Sequence, residues 1–89
     1  MELDKLRKKI DETDNKIIEL VAKRMKTVKI IGEFKKKGNI GIVDSKRQSV
    51  VFENRKKKAK ALGLNVAAIE KIFKILVKES VILQKKMKK

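Results

Sequence analysis

Eighty-nine residues carrying 26 basic and 11 acidic side chains, a formal charge of +15, make a small and strongly basic chain. Cysteine and histidine are both absent, which excludes disulfides, thiolate chemistry, the commonest metal ligand and the usual general base. No apolar run approaches the ~20 residues that cross a bilayer, and the N-terminus lacks a signal-peptide core, so the expectation is one cytoplasmic domain over residues 1–89 with an anionic partner.

The first predicted helix covers residues 2–37, which contain no proline and one glycine, Gly32. Leu3, Leu6, Ile10, Thr13, Ile17, Leu20, Arg24, Thr27, Ile31 and Phe34 recur at alternating steps of three and four, the spacing of a helix that buries one long stripe. Glu2 and Asp4 at its start and Lys35, Lys36 and Lys37 at its end suit the helix dipole. Such a helix is about 50 Å long, whereas a compact chain of this size is about 30 Å across. One subunit cannot cover that stripe, and the spacing calls for a partner chain. Arg24 stands in the stripe where an apolar side chain is expected. It reads either as a register device with its head in water or as part of an anion site inside a helical bundle.

Gly38-Asn39-Ile40-Gly41 has the composition of a turn that ends a helix and admits positive φ. The second helix follows over residues 45–62. Ser45 and Gln48 fit a capping box, and Asp44 adds negative charge at the N-terminus. Arg47 shares a side with Val50, Val51 and Asn54. Gly63 then suits a C′ position and Asn65 an N-cap for a third helix over 65–88. That helix carries Val66, Ile69, Phe73, Leu76, Ser80, Leu83 and Met87 in the same alternating spacing. Ser80 interrupts its stripe, and Gln84 lies one turn on. Lys85, Lys86, Lys88 and Lys89 close the chain at the negative end of the dipole. The fold class is all-α, with three helices and the first much the longest.

The basic residues are 22 lysines and four arginines. Lysines spread over every face describe a solvated surface, whereas arginine is the side chain for bidentate capture of carboxylate or phosphate. Arg7, Arg24, Lys35, Arg47, Ser80 and Gln84 all fall on or beside apolar faces. Separately, each has a plain structural explanation, such as a dipole contact for Lys35 or a back-bonded hydroxyl for Ser80. Together they describe a pocket for a small dianion. Without cysteine, histidine or a glycine-rich phosphate loop, such a pocket can position a flexible dianion and stabilise charge that develops in its transition state. A pericyclic rearrangement needs no more.

On these residues the chain resembles the all-helical class of chorismate mutase along essentially its whole length. The resemblance rests on Leu6-Arg7-Lys8-Lys9-Ile10-Asp11, Asp14, Ala22-Lys23-Arg24, Lys35, Asp44-Ser45-Lys46-Arg47 and Ser80-Val81-Ile82-Leu83-Gln84, in this order and spacing. It implies an intertwined helical homodimer that converts chorismate to prephenate by a Claisen rearrangement, without cofactor, metal or covalent intermediate. It also implies roles. Arg24 and Arg47 would clamp carboxylates, helped by Ser80 and by Arg7 from the other subunit. Lys35 would contact a carboxylate and the ether oxygen, and Gln84 the same oxygen from the other side. Asp44 would hold the region of the substrate hydroxyl, mainly through its backbone. Lys36, Lys37 and Lys46 would flank the entrance and steer the dianion inward.

Two positions depart from the family pattern. Gln48 stands where glutamate commonly accepts the substrate hydroxyl, so its role is either catalytic or confined to capping. Gly41 replaces a frequent proline, which implies a looser connecting loop. An isochorismate pyruvate lyase, with the same fold and a cationic pocket, is the neighbouring reading. A basic helical dimer that binds nucleic acid is the reading of another class, supported by Arg55-Lys56-Lys57-Lys58. Phe34, Phe52 and Phe73 are the only aromatics, too few for a base-stacking platform. A purely structural coiled-coil adaptor is the last alternative.

Overall fold

Periodicity and caps produce the three expected helices. The computed structural model describes residues 1–88 and contains α1 (Glu2–Lys37), α2 (Ser45–Ala61) and α3 (Val66–Met87). Lys89, expected beside the C-terminal dipole, lies outside the described residues. The chain is long and flat, 56 × 24 × 14 Å, with a radius of gyration of 16.3 Å. A globule of this length would have a radius of roughly 12 Å.

The helix ends follow from identifiable residues. At the end of α1 the Ile40 N–H donates to the Lys35 carbonyl (2.8 Å) and the Asn39 N–H to that of Lys36 (3.3 Å), the paired bonds of a Schellman motif. The left-handed residue it needs is Asn39, with φ of 53°. Neither Gly38 nor Gly41 adopts positive φ, so the glycines of this turn are not what reverses it. α2 closes the same way, with Leu64 bonding back to Ala59 (2.9 Å) and Gly63 to Lys60 (3.1 Å). Here the expected glycine does take the left-handed position, at φ of 71°. Asn65 caps α3 by accepting from the Ala68 N–H (3.0 Å). α2 is capped by Asp44, whose Oδ1 accepts from the Arg47 N–H (3.0 Å), so the expected capping box shifts by one residue. Ser45 is the first helical residue instead, and the Gln48 side chain is left free of capping.

α3 is the central element. α1 and α2 each pack on α3 and not on each other, which leaves a groove between them with α3 as its floor. Little is fully buried: Val28, Val51 and Ala59 are the buried apolar residues, joined by the polar Ser80 and Gln84. Lys56 reaches from α2 to Glu70 on α3 at 2.6 Å. The N-terminal half of α1 projects from this cluster, with Leu3, Leu6, Ile10, Ile17 and Leu20 all exposed.

Gly32 sets the approach of α1 to α3. A Cβ placed there would lie 2.9 Å from Met87 Sδ and 3.2 Å from Gln84 Cγ. The methionine end can swing aside, but the stem of buried Gln84 must shift. Gly32→Val is therefore expected to lower kcat/KM roughly ten- to a hundredfold by displacing Gln84, with helicity by circular dichroism retained. Unchanged turnover would show that Gln84 has room to spare.

Candidate active site

The groove between α1 and α2 holds a cavity of about 280 Å³, walled by Val28, Ile31, Ile42, Val51, Val77 and Val81. Each helix presents one face to it. α1 contributes Arg24 and Lys35, three turns apart, and α2 Arg47, Gln48 and Arg55 behind its cap Asp44. α3 supplies Ser80 and Gln84 at the one-turn spacing that puts both on its inner face. Seven of the eight expected site residues thus meet in one place, and Arg7 does not. It is exposed, seventeen positions before Arg24 on the same helix, or about 25 Å away.

Arg24 is held by α3. Its Nη1 donates to Ser80 Oγ (2.5 Å) and to the Leu76 carbonyl (3.3 Å). The Ser80 hydroxyl in turn donates to the same carbonyl at 2.8 Å. Ser80 thus back-bonds to its own helix, and by doing so turns its oxygen toward Arg24. Burial, and next the positive charge of Arg55, push the Arg24 guanidinium below its ordinary pKa. A cation under those two penalties favours an anion beside it.

The Schellman turn after α1 positions Lys35. Bending the chain back at Asn39 brings the Ile42 carbonyl within 2.7 Å of Lys35 Nζ, which leaves two of the ammonium's three donors for the cavity. Buried Gln84 donates through Nε2 to the Ser80 carbonyl (3.3 Å), and its Oε1 has no partner. Its second N–H is likewise free of protein bonds among the described residues, and an unpaired buried amide carries a desolvation penalty that a ligand relieves. Asp44 is the one acid of the cavity, and one of its oxygens is committed to the cap.

Lys36 is turned away from this cavity. Its Nζ donates to the Met87 carbonyl (3.0 Å) at the end of α3, and neither Lys37 nor Lys46 lines the walls. Arg55 was not expected here. Its place in a basic run concealed that it falls one turn past Val51 and two past Arg47, on the pocket face of α2. Arg55 thus lines the cavity and Lys56 pairs with Glu70, while Lys57 and Lys58 of the run are exposed. No helix of the described residues is long and apolar enough to cross a membrane.

Comparison with known proteins bears on this site. Residues 6–85 match the family model described as chorismate mutase type II. A chorismate mutase of Methanocaldococcus jannaschii is 37% identical over 83 residues, 93% of this chain and 84% of that protein. A bifunctional chorismate mutase/prephenate dehydratase of Buchnera aphidicola is 37% identical over 81 residues, and a T-protein of Enterobacter agglomerans 34% over 79. The matches cover 91% and 89% of this chain but 21% of each of those longer proteins. No solved structure matches significantly.

Proposed function

The chain belongs to the type II chorismate mutase family and is an isomerase of that activity, and we propose that the cavity between α1 and α2 is where it rearranges chorismate to prephenate. One observation carries the proposal: the cavity gathers Arg24, Lys35 and Arg47 around a single, partly committed acid, with the amide of Gln84 among them. Chorismate is a dianion. In its Claisen rearrangement the ether C–O bond breaks as a C–C bond forms, and no bond to the protein is made.

In this mechanism Arg24 and Arg47 hold the two carboxylates, with Ser80 fixing the Arg24 fork. The apolar walls exclude water and restrict the flexible enolpyruvyl group to a reactive conformer. Lys35 and the free N–H of Gln84 donate to the ether oxygen. That oxygen gains negative charge as its bond breaks, so both donors bind the transition state more strongly than the substrate. Gln48 and the Asp44 backbone meet the ring hydroxyl, Gln48 being spared from capping. No cofactor takes part.

Arg7 belongs to the second copy in this reading. Two observations support an intertwined dimer: Arg7 is about 25 Å from Arg24 of its own chain, and the apolar stripe around it is bare. A partner's α1 laid along this chain would cover that stripe and bring its Arg7 to the cavity.

An amide accepts a neutral hydrogen bond where a carboxylate accepts a charge-assisted one, a difference of about 1 kcal/mol. Gln48→Glu is therefore expected to raise kcat/KM about fivefold. A fall would mean that added negative charge repels the dianion more than it gains from the hydroxyl. The reaction itself is tested by incubating the purified protein separately with chorismate and with isochorismate and identifying the products. Prephenate from chorismate is expected. Pyruvate from isochorismate, with no prephenate, would make the chain a lyase.

A further inference from the structure

Arg55 is the pocket cation that this mechanism leaves without a role. It has a defined seat: its guanidinium carbon lies 5.6 Å from the centroid of the Phe73 ring on α3, within cation–π range. It lines the same cavity as Arg24 and its charge bears on Arg24, while along α2 it lies two turns, about 12 Å, from Arg47. Among the described residues no carboxylate pairs with it, and the ion pairs formed among them involve Asp4 and Glu70. Two guanidinium groups thus converge on a partly buried cavity with no acid between them. Like charges held together this way destabilise the empty site, and an anion between them reverses the sign of the interaction.

We propose that Arg55 is a further substrate-binding residue, a second guanidinium that grips the substrate carboxylate held by Arg24. This rests on the dianionic substrate proposed above. The two forks approach from different helices, Arg24 from α1 and Arg55 from α2, so a carboxylate between them ties α1 to α2, whose backbones stay apart. A grip on the carboxylate acts on binding, not on the charge that develops at the ether oxygen. The contribution of Arg55 therefore falls on KM. An arginine that only stacks on Phe73 to cover the apolar groove beneath would leave KM untouched.

Steady-state kinetics of wild type, Arg55→Ala and Arg55→Lys separate the two roles, with thermal denaturation as a check on folding. Arg55→Ala is expected to raise KM about tenfold, with kcat reduced far less. Arg55→Lys, which restores the charge without the fork, is expected to recover part of that loss. The difference from wild type should narrow as salt rises from about 20 to 300 mM. A folded Arg55→Ala protein with an unchanged or lower KM would overturn the proposal. Malate, a simple dicarboxylate, gives a readout independent of turnover. It is expected to raise the melting temperature of wild type more than that of Arg55→Ala. Equal stabilisation of both would refute an anion seat at Arg55. Failure of wild type to turn over chorismate would overturn the proposed function, and the malate comparison would still decide the seat.

Discussion

Arg24→Ala is expected to lower kcat/KM by roughly a thousandfold, equivalent to about 4 kcal/mol. Arg24 is the cation most committed to the cavity: it is partly buried, bonded to Ser80 Oγ and the Leu76 carbonyl, and pressed by burial and by Arg55. Removing it takes away a preorganised charge-assisted grip on a carboxylate, and the remaining cations cannot move to replace it: Lys35 is three turns away on α1 and bonded to the Ile42 carbonyl, and Arg47 and Arg55 are on α2. The fold should tolerate the change. The two hydrogen bonds lost are offset by relief of a desolvated cation beside a like charge, so thermal denaturation should shift by only a few degrees. A register device would behave differently. Replacing such a residue, most clearly as Arg24→Leu, would stabilise the fold and leave turnover intact. Retained turnover in Arg24→Ala would remove the pocket mechanism.

Lys35→Ala is the second large loss, and its signature differs. In the proposed mechanism Lys35 donates to the ether oxygen, whose charge grows only as the C–O bond breaks, so the loss should fall mainly on kcat. A decrease of about a thousandfold is expected, in line with removal of a donor to a developing oxyanion. The same ammonium holds the Ile42 carbonyl at 2.7 Å, so the 38–44 connection should also loosen and admit water. Limited proteolysis there, faster in the variant than in wild type, checks that part. A rise in KM with kcat unchanged would mean that Lys35 binds the ground state and transition state equally, and the ether-oxygen role would fall.

Much of this was legible in the sequence because the site is written as interruptions. Arg24 and Ser80 stand in helical stripes where apolar residues belong, with Gln84 one turn past Ser80, and a polar side chain in such a place must be satisfied by something. The helices were legible for the opposite reason: spacing, caps and turns agree with one another over each of them. What stayed hidden depends on local choices between similar residues or on tertiary geometry. Asn39 takes the left-handed position although glycines flank it at 38 and 41, since asparagine tolerates αL and the hydrogen bonds to Lys35 and Lys36 fix which residue must adopt it. Asp44 caps α2 in place of Ser45, which moves Gln48 out of a capping box and into the cavity. Arg55 was obscured by composition: four of its next five neighbours are Lys56, Lys57, Lys58 and Lys60, and a charge run reads as solvent until the pocket face of α2 is known. That α1 and α2 avoid each other, opening the groove, is a property of how both lie on α3, and no spacing within one helix encodes it.

The same geometry accounts for the partition of labour between helices. α3 carries neutral groups that fix the cations of the others, the Ser80 hydroxyl for Arg24 and the Phe73 ring for Arg55. α1 and α2 carry the charge. In the proposed mechanism substrate binding closes an electrostatic gap between two elements joined through α3 and a short loop, which links affinity to the order of that loop.

A cationic pocket completed by two chains is tested most directly by subunit mixing. Arg7→Ala and Arg24→Ala proteins, each expected to be inactive alone, are unfolded together, refolded and assayed for chorismate turnover. If Arg7 serves the cavity of the other subunit, every mixed dimer has one site free of both changes, and random pairing restores about a quarter of wild-type activity. If Arg7 acts within its own chain or not at all, Arg7→Ala is either never rescued or never impaired, and the intersubunit pocket is contradicted.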